Sequence, residues 1–194
     1  MIRPRLLWVL VGGNGAGKST FYRLFLEPKG VKFVNADLIA RFINPERPEA
    51  VSYEAARAAE IIRERLLGEG GSFCFETVFS HSSKIDFIAD AKGLGYTVIL
   101  VCIHLELPFL HEGRVRQRVS EGGHNVPADK IYARLPRVMK NIATALPLAD
   151  EARILDNSLR EDPFRPVASV KKGRREWTSV PLPEWAGQLL ADIP

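Results

Sequence analysis

Leu6-Leu7-Trp8-Val9-Leu10-Val11 runs directly into Gly12-Gly13-Asn14-Gly15-Ala16-Gly17-Lys18-Ser19-Thr20. The first six residues are apolar without alternation, the pattern of a parallel strand buried on both faces. The eight from Gly12 to Ser19 fit G-x-x-x-x-G-K-[ST] and lie between that strand and a helix start, where a phosphate loop has to be. Its glycines let successive backbone N–H groups turn toward phosphate oxygens, and the helix N-terminus adds partial positive charge. In such a loop Lys18 reaches the β- and γ-phosphates and the Ser19 hydroxyl ligates Mg²⁺, so ATP and Mg²⁺ are the expected cofactors. A glycine-rich turn with an accidental lysine is the bland alternative, and the complete motif in its proper context argues against it.

Working outward, strand and helix alternate. Lys18 to Leu26 reads as a helix stopping near Pro28, and Val31–Val34 as a second strand ending at Asn35-Ala36-Asp37. Val51, Ala55, Ala58, Ala59, Ile62 and Leu66 recur at helical spacing, with Gly68 expected to close that helix. Ser72–Phe75 is a third strand and Thr97–Leu105 a fourth, with a helix between them over Ile85–Lys92. Pro108 opens a helix to Ser120, Glu121–Pro127 breaks it, and a second helix runs from Ala128 to Ala145 with a kink or early break expected at Pro136. Ala152–Leu155 is a fifth strand. Val167–Val170 and Glu176–Val180 flank Lys171–Arg175 as a hairpin, with Trp177 and Trp185 as anchors, before a short helix over Pro183–Leu190. The expected fold is therefore a three-layer, doubly wound parallel α/β sheet of about five strands. One domain spans residues 1–194, with a helical lid at about 111–140 and a C-terminal appendage at about 160–194.

Composition narrows the partners. The chain has 194 residues, 46% hydrophobic and 26% charged, enough apolar material for a real core. Its net charge of +4 is unevenly placed: His111–Lys140 holds seven bases (Arg114, Arg116, Arg118, Lys130, Arg134, Arg137, Lys140) against three acids. A local arginine cluster suits a compact anionic ligand better than nucleic acid. Cys74 and Cys102 lie in apolar runs and read as buried thiols of a reducing compartment. No apolar run approaches the ~18 residues of a membrane helix, and Leu6–Val11 is short for a signal peptide. No membrane association, no nucleic-acid partner and a cytoplasmic location are expected.

Several side chains are candidates for the chemistry. Asp37 lies at the ligand-binding edge of the sheet, where a carboxylate accepts the proton of an attacking hydroxyl, or alternatively caps the following helix. Glu76 ends the third strand on the same edge; it holds a substrate hydroxyl, a water on Mg²⁺, or nothing. Thr77 is adjacent, followed by polar Ser80 to Lys84. Arg114 and Arg118 share a helix face while Arg116 points elsewhere, and Arg134 lies on the next helix. Arginines on both arms of a helix–loop–helix can close over phosphates and neutralise transition-state charge. His124, between those arms, contacts phosphate, fixes the loop or does neither; loop-fixing is the preferred role.

GGNGAGKST, FVNAD, SFCFETVFS, RVRQRVSEGGHNVPADKIYARLPR, LPLAD and LDNS occur in that order. Together, over about Leu6 to Ser158, they resemble the zeta-toxin-like family of P-loop small-molecule kinases. The resemblance implies a nucleoside-monophosphate-kinase-like sheet and ATP-dependent phosphorylation of a small hydroxyl-bearing substrate, best known as the sugar 3′-hydroxyl of UDP-N-acetylglucosamine. It implies that Lys18 and Ser19 hold phosphate and Mg²⁺, that Asp37 is the general base, and that Glu76 touches substrate. Arg118 and Arg134 match the lid arginines, with Arg114 in place of Arg118 if the helix register shifts. Asn157, ending the fifth strand, matches a position bordering the adenine. An antitoxin partner belongs to the family's toxin members, and no residue here shows one. The sequence departs from the toxins two residues after Glu76, where they carry threonine and this chain has Val78. A kinase of another metabolite, or a nucleotide-dependent regulatory module, stands as the alternative.

Overall fold

The computed structural model describes residues 4–123 and 125–194; His124 falls outside them. Five parallel strands form the centre of the sheet: β1 (Leu6–Val11), β2 (Lys32–Val34), β3 (Phe73–Thr77), β4 (Thr97–His104) and β5 (Glu151–Asp156). The expected hairpin, β6 (Arg165–Lys171) and β7 (Arg174–Thr178), pairs antiparallel along the β5 edge. One seven-stranded sheet in the order β2-β3-β1-β4-β5-β6-β7 results. From β1 the chain winds one way to β2 and β3, then crosses to β4 and β5. Ligands bind at the C-terminal strand ends where such winding reverses, and the phosphate loop leaves β1 there.

The continuous apolar runs divide between the two faces with the two-residue period of a strand. Leu7, Val9 and Val11 pack with Phe73, Phe75, Leu100 and Cys102 under α3 (Ser52–Glu69), α4 (Ser83–Gly93), α6 (Ala128–Ala145) and α7 (Glu184–Leu189). Trp8, Leu10, Cys74 and Val101 face the other way, against Phe21 and Tyr22 of α1 (Lys18–Phe25) and against Phe164. Both cysteines are buried free thiols, and burial pushes the Cys102 thiol up to about 12.

Three expectations are corrected. Helix α3 does not close at Gly68 but at Gly70, which adopts φ 73° as the C-cap. Its buried stripe is Ala55, Ala59, Arg63 and Leu67, so a cation occupies a core position. The Arg63 guanidinium lies 5.2 Å over the Phe75 ring and 5.6 Å over Phe87, where ring quadrupoles replace part of its hydration. Helix α6 runs unbroken through Pro136, which is exposed, because buried Ile131, Val138, Ile142 and Ala145 hold both sides of it to the core. Trp185 packs against the core and stacks on His104 at 4.2 Å, whereas Trp177 stands half exposed and anchors nothing. No helix among the described residues is long and apolar enough to cross a membrane.

Candidate active site

The loop after β1 takes its shape from glycines with specific obligations. Gly12 has φ 147°, and a Cβ there would lie 2.1 Å from the Ile103 carbonyl oxygen. Gly17 has φ 100° at the N-cap of α1, with the Asn157 amide 2.5 Å from where a Cβ would be. A side chain at either position would reshape the loop. Lys18 is buried and donates from Nζ to the carbonyls of Gly12 (3.0 Å) and Gly13 (2.9 Å), folding back along the loop. Burial lowers its pKa, and the nearby carboxylates of Glu76 and Asp37 oppose that shift.

Ser19 donates from Oγ to Oε2 of Glu76 at 2.6 Å. The β1–β3 register makes this contact, since it sets Glu76 beside Leu10 at the loop's entrance. Burial raises the Glu76 pKa, with Lys18 and the Ser19 hydroxyl pulling it back. The acid thus lies beside Ser19 at the mouth of the loop. Because its folded-state pKa exceeds its unfolded value, stability is full below the ordinary glutamate pKa and is lost as pH rises through the folded value. Glu76→Gln is therefore expected to raise Tm near pH 7, with the gain vanishing toward the ordinary glutamate pKa. Thermal melts of both proteins across that range check it.

Asp37 sits in the first turn of α2 (Ala36–Ile43). The capping role belongs to Asn35, whose side chain accepts from the Leu38 N–H at 3.1 Å, which leaves the Asp37 carboxylate half exposed beside the loop. It lines a crevice with Ala36, Ala40, Pro48 and Ser52. Arg118 of α5 (Pro108–Ser120) brings Nη1 to 4.0 Å from Asp37 Oδ2. A larger cavity of about 370 Å³ adjoins at Pro48, between the residues after α2 and Gly122-Gly123 at the α5–α6 turn.

The arginines separate by helix face. Arg118 turns to Asp37, and its charge bears on Lys18 and Glu76. Arg134 of α6 donates from Nη1 to Oδ1 of Asn14 at 3.4 Å. Arg114, one turn before Arg118, instead donates to the Asn157 carbonyl at 2.5 Å, and Arg116 points to solvent and pairs with Glu112. Asn157 is buried with both ends of its amide engaged: Nδ2 donates to the Ala16 carbonyl (2.8 Å) and Oδ1 accepts from the Phe164 N–H (3.2 Å). That geometry braces the loop from beneath.

Thr77 is likewise committed locally, its Oγ1 accepting from the Phe79 N–H at 3.0 Å. Phe79 is fully buried in the left-handed region at φ 65°, a strained position for a bulky residue. Asn141 of α6 holds it by donating to the Phe79 carbonyl at 2.9 Å. Val78, where the toxins carry threonine, packs on the core. Sequence reasoning missed Asn141 and also His111, a buried histidine of α5 against the loop. A usable signal for His111 was present: Gly13 fills a position that the motif leaves free, and a Cβ there would lie 2.5 Å from His111 Cε1.

Comparison with known proteins meets this geometry. The family model described as an AAA domain matches residues 7–139, well over half of the chain. The chain belongs to that AAA-domain family of P-loop proteins. A Haemophilus influenzae protein of uncharacterised function is 30% identical over 141 residues, covering 69% of this chain and 99% of that relative. Among solved structures, a chain of the native AvrRxo1-ORF1:AvrRxo1-ORF2 complex superposes with TM-score 0.72 at 20% identity, over 97% of this chain. A chain of the Streptococcus pneumoniae PezAT toxin–antitoxin system superposes with TM-score 0.67 at 16% identity, over 98% of this chain and 78% of its own. The chain spans 63% of the AvrRxo1 chain's length. At these identities the superpositions establish the fold alone, a P-loop kinase fold.

Proposed function

We propose that this AAA-domain protein is a Mg²⁺–ATP-dependent phosphotransferase that phosphorylates a hydroxyl of a small molecule, with a nucleotide sugar such as UDP-N-acetylglucosamine as the first acceptor to test. One observation carries the reading. A carboxylate freed from capping duty, Asp37, stands 4.0 Å from Arg118 and within electrostatic reach of Lys18, lining a crevice that meets a larger open cavity at Pro48. A nucleotide-binding regulator needs the loop; it does not need a half-exposed carboxylate set beside the loop and a lid arginine. An AvrRxo1 complex solved with ATP shares the fold at TM-score 0.64, which supports ATP as the donor.

In this mechanism the backbone N–H groups of the loop and Lys18 bind the β- and γ-phosphates, Lys18 exchanging the carbonyls of Gly12 and Gly13 for phosphate oxygens. Asp37 orients the acceptor hydroxyl and takes its proton as the new O–P bond forms and the bond from Pγ to the ADP oxygen breaks. Arg118 and Arg134, on separate helical arms, neutralise charge on the transferring group, and closure of those arms excludes water that would otherwise compete as acceptor. The donor set fits Mg²⁺: a hydroxyl and a carboxylate 2.6 Å apart, oxygen only, with no three-residue metal cluster among the described residues, suits an ion held mainly by phosphates and water. Ser19 and Glu76 would hold it, and when bound it offsets the negative charge of the phosphates.

The same reading places the protein in the cytoplasm, where ATP and Mg²⁺ are supplied. It also makes an inhibitory protein the partner class to look for, since PezAT is a toxin–antitoxin system. Nucleic acid is disfavoured: in the basic β6–β7 hairpin Arg175 donates to the Leu190 carbonyl and Lys171 lies 3.9 Å from Glu176. The test is transfer of label from γ-labelled ATP to UDP-N-acetylglucosamine, with a metabolite extract in parallel. A labelled UDP-sugar is the expected product. Label only on an extract component would keep the kinase and replace the acceptor, and ATP binding without any labelled acceptor would favour a regulatory module.

A further inference from the structure

The phosphate loop is gripped from its outer side by a residue that plays no part in the transfer. His111 of α5 is fully buried, and its Nδ1 lies 2.6 Å from the Asn14 carbonyl oxygen. The ring lies flush on the loop: a Cβ on Gly13 would fall 2.5 Å from His111 Cε1 and 2.8 Å from Nδ1. On the other side of Asn14, a Cβ on Gly15 would fall 2.8 Å from the His111 carbonyl oxygen. Gly13 occupies a position that the phosphate-loop motif leaves unspecified, and a side chain there would run into the His111 ring; Gly15 adopts φ 74°, which favours glycine whatever stands at 111.

We infer that His111 is a positioning residue of the phosphate loop, fixing by its Nδ1–H the peptide plane between Asn14 and Gly15 so that the Gly15 N–H is presented to phosphate. A trans peptide unit is planar, with its C=O and N–H pointing in opposite directions. Drawing the Asn14 carbonyl out toward α5 therefore drives the Gly15 N–H to the opposite side. A loop free to flip that plane would instead turn a carbonyl oxygen toward the anion. The inference rests on the phosphate-loop reading of Gly12–Ser19.

The protonation pattern agrees with this role. A carbonyl only accepts, so the proton must sit on Nδ1, which leaves Nε2 as a lone-pair acceptor. Nε2 is buried with no hydrogen-bond partner among the described residues. A buried acceptor left unpaired is costly, and the ring's one hydrogen bond is the one to the loop. Burial holds the imidazole neutral, lowering its pKa to about 4, with Lys18 and Arg114 adding to the effect. The charge therefore stays off the ring, and a single tautomer serves throughout the neutral range. Asn14 is then fixed twice: its backbone by α5 through His111, its side chain by α6 through Arg134.

The test separates hydrogen bonding from packing. Asparagine carries its amide nitrogen on Cγ, as imidazole carries Nδ1, and so can donate from the same place. Leucine fills nearly the same volume and cannot donate. His111→Leu is expected to weaken Mg–ATP binding about tenfold and His111→Asn no more than about threefold, by titration calorimetry at pH 7.5. Equal weakening in both would reduce His111 to packing and overturn the inference. If neither variant folds, nitrogen-15 NMR of the histidine rings in the unaltered protein decides: His111 protonated at Nδ1 supports the inference, and protonation at Nε2 overturns it. An unaltered protein that binds no ATP would instead remove the phosphate-loop reading beneath it.

Discussion

Asp37→Asn is expected to slow acceptor phosphorylation by about 10²–10⁴-fold while changing ATP affinity by no more than about twofold. The split follows from where the side chain stands. Asparagine preserves its size and can still face the acceptor, but it cannot take a proton at neutral pH. The helix is not at risk, because Asn35 caps α2 and the Asp37 side chain is half exposed. ATP is bound in this mechanism by the loop, Lys18 and the arginines, and Asp37 meets that set only through its 4.0 Å pair with Arg118 and at longer range through Lys18. Parallel measurement of kcat for transfer and Kd for ATP checks both halves. A matching fall in ATP affinity would make Asp37 a nucleotide ligand instead of a base.

Lys18→Met is expected to fail in the opposite pattern, losing ATP binding and turnover together, with kcat/KM down about 10³-fold. Methionine keeps most of the apolar stem and removes the ammonium. In the ligand-free protein two effects offset each other: burial lowers the lysine pKa, so its charge is held at a cost, while its hydrogen bonds to the Gly12 and Gly13 carbonyls stabilise the loop. The Tm without ligand should therefore move little. The variant should lose the rise in Tm that Mg–ATP gives the unaltered protein, because a ligand stabilises only what it binds. Melts with and without Mg–ATP separate this outcome from simple unfolding.

Much of this architecture was legible because its rules are local. Leu6–Ser19 announces a buried strand, a phosphate loop and a helix start within fourteen residues, and the apolar runs of β3, β4 and β5 are long enough to fall on both faces of a parallel sheet. Helix ends were less legible. Gly68 and Gly70 look alike in sequence, and only the packing of Leu67 carries α3 past the first of them. Pro136 breaks no helix because anchors on both sides outweigh one missing donor. Arg63 reads as part of a polar face until Phe75 and Phe87 arrive from two other elements to cover it.

At the site, residues that act through their own backbone position were readable, and those that act across the sheet were not. Lys18, Ser19 and Asp37 follow strand ends, where topology alone places them. Glu76 was readable as a site residue, but its bond to Ser19 depends on the β1–β3 register. Asn157 lies far along the chain from the loop it supports, and its amide meets Ala16 only because β5 ends beside β4. His111 carries no local signature beyond Gly13, which lies against its ring.

The central claim is that Asp37 passes a proton from an acceptor hydroxyl while the loop delivers phosphate. Its most direct test gives the protein, Asp37→Asn and Lys18→Met the same Mg–ATP and metabolite extract and follows them by mass spectrometry for a metabolite heavier by one phosphoryl group. The account predicts that product from the unaltered protein, a trace from Asp37→Asn and none from Lys18→Met. Equal yields from the unaltered protein and Asp37→Asn, or ADP and free phosphate with no phosphorylated metabolite, would contradict it.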